Sequence, residues 1–310
     1  MSIKFTRLKH WKQTALKMYH LEGKNYTEIH KALGVPYDTV YGALRKLNEY
    51  FDADTVKSNM RLPTIFVIGD TQCKQGIDLD YMKWIGYYIA RKRPDIIIHI
   101  GDHYDMAALS SYDKASLKAE GRRIIEDIRA GDLGLEYIEK EIAKVQGYKP
   151  RKIITLGNHE ERIDRFVGLN PEFEGFMGTD QLAFEKFGWE VIPFLTPCDV
   201  EGISFQHYVQ NVMTGKPLGG TALNILKSSG KSFVMGHKQV LDIAIKPTLG
   251  GGHQIGIVVG ACYLHDEGYK GVQGNNHFRG CVMLTEVHNG YALPSPVSLD
   301  YMRKVYEANH

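Results

Sequence analysis

Long apolar runs are missing from this chain. None approaches the roughly 20 residues that a membrane-spanning helix needs. Lys4 and Arg7, near the start, have no apolar stretch behind them that would read as a secretory signal. Cysteine is scarce: Cys73, Cys198, Cys262 and Cys281 are dispersed, with no Cys-x-x-Cys pair. Isolated cysteines without an export signal are expected to be reduced thiols, which places the chain in the cytoplasm with no membrane partner. A strong excess of either charge is also absent, the formal net charge being +2. The charge is unevenly spread, however. Residues 1–50 carry nine Lys/Arg against four acidic residues, so the remainder is mildly acidic. A basic head on an acidic body suggests that the head meets a polyanion. With 310 residues, 43% hydrophobic and 24% charged, the chain suits one large domain, alone or with a small module.

The basic head reads as three helices. Leu8, Trp11, Ala15 and Met18 recur at helical spacing, which predicts an amphipathic helix from Thr6 to about Leu21, ended by Gly23. Tyr26–Leu33 is a second short helix with Ile29 and Leu33 on one face, and Gly34-Val35-Pro36 breaks it. Asp38 or Thr39 can cap a third, running to about Asn48, with Val40, Leu44 and Leu47 as its core stripe. Two helices joined by a tight glycine turn, after a supporting helix, resemble a helix-turn-helix. In that reading residues 1–50 bind DNA, and Tyr37, Thr39, Tyr41, Arg45 and Lys46 face bases and phosphates. Gly42 costs the third helix about 1 kcal/mol of propensity relative to alanine, and would permit close backbone approach to DNA. A small helical docking domain with solvated basic residues is the alternative. Phe51–Leu62 reads as a linker, and 63–310 as the second domain.

That second domain carries five short polar motifs in order: Gly69-Asp70-Thr71-Gln72, Gly101-Asp102-His103-Tyr104-Asp105, Gly157-Asn158-His159-Glu160, His207, and Gly236-His237-Lys238-Gln239. The first three follow Ile65–Ile68, Ile96–Ile100 and Ile153–Leu156, short apolar runs of the buried-strand type. Helical patterns at Tyr81–Arg93 and Met106–Val145 separate them, so an α/β body is expected. Trp189–Phe194, Ile203–His207, Ser232–Met235, Gln254–Gly260 and Gly280–Val287 are further strand candidates. Each motif delivers oxygen or imidazole groups to a strand end, where ligands collect in layered α/β folds. Lys216 with Gly219-Gly220-Thr221, ahead of a helix, could aim amides at an anion. Arg122, Arg123 and Arg129 read as a solvated helix face or a polyanion groove.

The motif series resembles the calcineurin-like metallophosphoesterases, whose pattern is Asp-x-His, Gly-Asp-x-x-Asp, Gly-Asn-His-Asp/Glu, His, Gly-His-x-His. The resemblance implies a two-sheet sandwich flanked by helices, preceded here by the all-α module. It implies two divalent metal ions, bridged by Asp102. Asp70, Gln72 and Gln239 would complete one site, and Asn158, His207 and His237 the other. His159 would donate a proton to the leaving oxygen, Glu160 would orient its ring, and Asp105 would support it. Metal-bound hydroxide would attack phosphorus directly. The chain departs from the pattern at Gln72 and Gln239, which stand where the family has histidine. Neutral amide oxygens favour manganese at that site, with magnesium, iron or zinc as alternatives. The implied activity is a phosphodiesterase or nuclease acting on DNA. The alternatives are a phosphomonoesterase or nucleotide hydrolase regulated by the helical module, and a DNA-binding regulator with a degenerate catalytic domain. An oligomeric state is not set by these features.

Overall fold

The computed structural model describes residues 8–59, 62–111, 113, 117–267 and 270–310. They form two compact units, Met1–Leu62 and Pro63–His310. Among the described residues no helix is long and apolar enough to cross a membrane.

The first unit holds helices α1 (His10–His20), α2 (Tyr26–Leu33), α3 (Tyr37–Leu47) and α4 (Ala53–Asn59). Thr6 and Arg7, expected to open the first helix, lie outside the described residues. Asn25 caps α2 through a reciprocal pair: its side chain accepts from the Glu28 amide, and Glu28 accepts from the Asn25 amide. Gly34 ends α2 with φ of 62°, a left-handed cap for which glycine has no steric penalty. α3 starts after Pro36, so Asp38 and Thr39 lie inside the helix rather than capping it; the Asp38 charge suits the helix N-terminus there. Ile29, Val40, Leu44 and Leu47 close on Ala15 and Leu16 as expected from their spacing. The reading of Phe51–Leu62 as a linker needs correction. Phe51 and Val56 are buried in this same core, and α4 carries Val56 into it. Asp52 accepts from the Thr55 amide at 2.7 Å ahead of α4, and Asp54 and Lys57 are exposed on that helix.

The second unit is a two-sheet sandwich. In chain order its elements are β1 (Ile65–Ile68), α5 (Asp80–Lys92), β2 (Ile96–His99), α6 (Ile124–Ala143), β3 (Arg151–Thr155), α7 (Glu161–Leu169), β4 (Glu190–Ile192), β5 (Cys198–Val200) and β6 (Ile203–Phe205). There follow α8 (Ala222–Ser229), β7 (Phe233–Met235), β8 (Leu241–Pro247), β9 (His253–Val259), α9 (Gly271–Asn275), β10 (Gly280–His288), β11 (Tyr291–Ser298) and α10 (Leu299–Glu307). One sheet has the order β11-β10-β1-β2-β3-β4, the other β5-β6-β7-β9-β8.

β1 shows why the runs are continuously apolar. Ile65 and Val67 join the core between the sheets, with Phe205, Val234 and Ile257, while Phe66 and Ile68 join the core under the helices. A strand covered on both faces has no solvent side to alternate toward. β1 to β4 are parallel, as are β6, β7 and β9. Their C-terminal ends therefore present loops at one rim, where all five motifs sit. Met106–Val145 is not one long helix: regular helix starts only at Ile124, after short turns around Ala107 and Leu117.

Candidate metal centre

Motif glycines let the carboxylates approach. A Cβ at Gly157 would overlap Asp102 Oδ1, and one at Gly236 would overlap Asp70 Oδ1. Four motif residues adopt positive φ although none is glycine: Gln72, Asp102, His237 and Gln239. Strained backbone of this kind persists where its surroundings hold it, typically at functional sites.

On one side of the centre, four acceptor atoms converge. Asn158 Oδ1 lies 2.9 Å from His207 Nε2 and 2.8 Å from His237 Nδ1. Asp102 Oδ2 is 3.4 Å from His207 Nε2. Ligand atoms of Asp102, His207 and His237 all lie within 4.8 Å of one another. His207 Nδ1 sits 2.8 Å from the Ile100 carbonyl, so it must donate there. That leaves the Nε2 lone pair facing two oxygens, an arrangement that needs a proton or a cation between them. Although burial opposes it, the nearby Asp102 carboxylate raises His207 to about 9. Burial and the His207 charge push His237 down to about 4. Asp102, buried but faced by His159 and His207, is held well below the usual carboxylate range.

The other side is built from oxygen. Asp70 is fully buried; its Oδ1 accepts from the His237 amide at 3.1 Å, and its Oδ2 has no partner. Burial, then the Asp102 charge, raises Asp70 to about 7. Gln72 is also fully buried with both amide atoms unpartnered. Orphaned buried acceptors cost stability unless something meets them, so Asp70 and Gln72 suit a hard cation. Gln239 differs. Its Oε1 accepts from Tyr263 Oη at 2.8 Å and from Lys270 Nζ.

His159 stands beside the cluster. Its Nδ1 is 2.8 Å from both the Asp105 carbonyl and Asp105 Oδ1, two acceptors, so Nδ1 carries a hydrogen. Burial lowers its proton affinity, but Asp102 and Asp105 more than compensate and raise it. Asp105 supports His159 as expected, but Glu160 does not orient the ring. Asp105 holds the ring, whereas Glu160 accepts from four backbone amides, those of Asp102, His103, Tyr104 and Gly157, at 2.6–3.0 Å. A carboxylate with two oxygens can satisfy four donors at once, and here it ties the loop after β2 to the loop after β3. Sequence reasoning missed Arg162. Its guanidinium lies 3.1 Å from His159 Nε2 and donates to the Asp105 carbonyl at 2.7 Å. An i, i+3 spacing from His159 at the start of α7 was the available signal.

A cavity of about 410 Å³ opens on the cluster, lined by Asp102, Asn158, His159 and His237 with Arg162, Arg122 and Lys74. Arg122 thus faces the cleft, paired with Asp113 at 2.8 Å. Arg129 pairs with Glu126 on the helix surface. The expected anion site at α8 is not free: Thr221 caps the helix, and the Ala222 amide donates to Asp242 at 2.7 Å.

In the first unit, Tyr37, Thr39, Tyr41, Arg45 and Lys46 are all exposed on α3, as is Gly42. Tyr37 and Tyr41 stack with ring centroids 6.3 Å apart, and Tyr41 meets Tyr26 edge-on.

A two-sheet sandwich with Asp, Asn and His ligands at parallel strand ends defines the fold and centre of a metal-dependent phosphoesterase. Residues 63–257 match the calcineurin-like phosphoesterase family, and the chain belongs to it. It is similar to the Gene 54 protein of Mycobacterium phage D29, 28% identical over 204 residues that cover 61% of this chain and 74% of the relative. The Gene 54 protein of Mycobacterium phage L5 is 29% identical over 199 residues, with the same coverage of each chain.

Proposed function

We propose that this metal-dependent phosphoesterase is a phosphodiesterase that cleaves DNA and uses its N-terminal module to hold the duplex. The reading is carried by one observation: α3 exposes Arg45, Lys46 and three hydroxyl-bearing side chains together, while its apolar stripe is fully used in the module core. Tyr37 and Tyr41 pack on one another and on α2 yet stay exposed with Arg45 and Lys46, a surface that can enter a groove.

Asp102, Asn158, His207 and His237 would hold one divalent ion, and Asp70 with Gln72 would offer hard oxygen to a second, for which manganese suits better than zinc. When bound, such ions supply positive charge to the phosphoryl oxygens and acidify the attacking water. The chain supplies the rest. Arg162 lines the cleft and donates to the Asp105 carbonyl and to His159 Nε2, so a phosphoryl oxygen entering there would take over the Nε2 contact. As water's oxygen bonds to phosphorus, the bond to the leaving oxygen breaks, and that oxygen takes the proton from His159 Nε2. The proton that water gives up restores the imidazolium, which Asp105 stabilises through Nδ1. The four buried cysteines, none in a disulfide, fit a reducing cytoplasm.

A small phosphoester such as a nucleotide is a second reading, favoured by a cleft whose volume suits a single small ligand. The test compares duplex DNA with a small bis-aryl phosphodiester, using Mn²⁺, for the wild type and for Arg45→Ala with Lys46→Ala. The double variant should bind duplex more weakly and lose about 0.9 from the log–log salt slope per phosphate contact removed. Its turnover of the small ester should be unchanged. Equal duplex affinity and salt slope in the two proteins would remove DNA from the reading and leave the small phosphoester.

A further inference from the structure

Gln239 stands at a position that the oxygen side of the centre would need as a ligand, yet its acceptor is already in use. An amide oxygen has two lone pairs. One takes the Tyr263 hydroxyl at 2.8 Å, and the other takes the Lys270 ammonium. Lys270 is held in turn: its Nζ is 3.1 Å from Tyr263 Oη and packs over the Tyr263 ring. Tyr263 is itself fixed, being fully buried, one residue after Cys262, whose amide donates to the Asp70 carbonyl at 2.7 Å. The lysine is therefore seated on Gln239 and Tyr263, beside the segment that hydrogen-bonds the Asp70 backbone.

We propose that Lys270 is a built-in competitor for the second cation: its ammonium caps Gln239 and keeps the Asp70 side from binding a divalent ion tightly. The inference rests on the metal-centre reading of Asp70, Gln72 and Asp102. Two effects point the same way. With Gln239 capped, a cation on that side finds only Asp70, Gln72 and a share of Asp102, too few protein ligands for tight binding of a hard ion. The charges also matter. One divalent ion on the histidine side plus one ammonium already exceed the charge of the Asp70 and Asp102 carboxylates. A second divalent ion then adds repulsion in a buried, low-dielectric site. On the histidine side no lysine caps an acceptor among the described residues: Asn158, His207, His237 and Asp102 meet one another, with the His159 ring 3.7 Å from Asp102.

Manganese binding tests this without reference to turnover. Isothermal titration of the full chain with Mn²⁺ should give one tight ion and a second weaker by about 100-fold, equivalent to about 2.7 kcal/mol. Lys270→Met removes the charge and the donor, and should bring the second ion to within about 10-fold of the first. Lys270→Arg keeps a cation there and should stay close to the wild type. Electron paramagnetic resonance of the wild type with stoichiometric Mn²⁺ should show isolated ions, a readout that stands even if a variant fails to fold. Two ions of equal affinity in the wild type would overturn the proposal while leaving the metal-centre reading intact. So would an unchanged second ion in Lys270→Met. No manganese bound to either protein would overturn the metal-centre reading itself, and the proposal with it.

Discussion

The two halves of the centre are made from the same strand ends but from different chemistry. The half around Asn158, His207 and His237 is rich in nitrogen, and each imidazole is aimed by a bond from outside the cluster or by its neighbours. His207 is the clearest case: a backbone carbonyl takes its Nδ1 hydrogen and so fixes Nε2 as the acceptor. The half around Asp70, Gln72 and Gln239 has only oxygen, one carboxylate atom and one amide with nothing to meet, and a lysine where a further ligand would be wanted. Aimed acceptors pre-pay the ordering of a site, while unmet ones and a resident ammonium leave it loose. Shared geometry does not make two positions equal. The tight half is the one whose hydrogen atoms are committed elsewhere.

The family pattern assigns Asp102 to both halves, so its change should have the largest effect. Asp102→Asn keeps the shape and removes the charge that both positions share. Turnover of a small phosphodiester should fall by about 10³-fold or more, about 4 kcal/mol of barrier, whichever metal is supplied. Retained turnover would break the link between the halves.

His159→Ala comes next and separates chemistry from binding. The ring lies next to Asp102, at 3.7 Å, but outside the group of converging ligand atoms. A loss of about 10²- to 10⁴-fold in kcat is expected from removal of a general acid. Metal content measured by elemental analysis should stay as in the wild type; an emptied centre would mean that the ring is a ligand.

Asp105→Asn should act more gently, through pH. The carboxylate is held down to about 2: burial opposes its charge, but His159, Lys74 and Arg162 outweigh it. It is therefore charged at neutral pH and favours the imidazolium. Without that charge the His159 proton leaves at lower pH, so the alkaline limb of the kcat profile should move toward acid. An alkaline limb that does not move would assign the titration to another group.

The smallest effect is expected from making the halves alike. Gln72→His with Gln239→His puts imidazole on both sides and takes away the oxygen that Lys270 holds. Zinc should gain on manganese in competition binding, by about 10-fold, with each single change doing less. An unaltered preference would mean that neither glutamine touches a cation.

Much of the fold was legible because its signals are local. Helical periodicity located the module helices, and the doubly buried strands announced themselves as short, mostly aliphatic runs ending in Gly-Asp or Gly-Asn. β11 left little trace: Pro294 and Pro296 argue against a strand, and the sheet tolerates them only because β11 is an edge. The segment 106–123 misled because charged and apolar residues mix there at helical spacing, while its described residues form only short turns at Ala107–Leu109 and Leu117–Ala119. The centre's side chains could be listed from their motifs, but not their duties. Glu160 adjoins His159 in sequence, yet its four partners are backbone amides on two loops, which no residue pattern records. Lys270 is 31 residues from Gln239 and belongs to no motif. Contacts of that kind exist only once the strands have been brought to one rim.

Anomalous scattering from crystals soaked in Mn²⁺ tests the centre most directly. A strong peak is expected among Asp102, Asn158, His207 and His237, within about 2.6 Å of their oxygen and nitrogen atoms, and a weak one beside Asp70 and Gln72. Manganese absent from the histidine side, or bound only elsewhere on the chain, would contradict it.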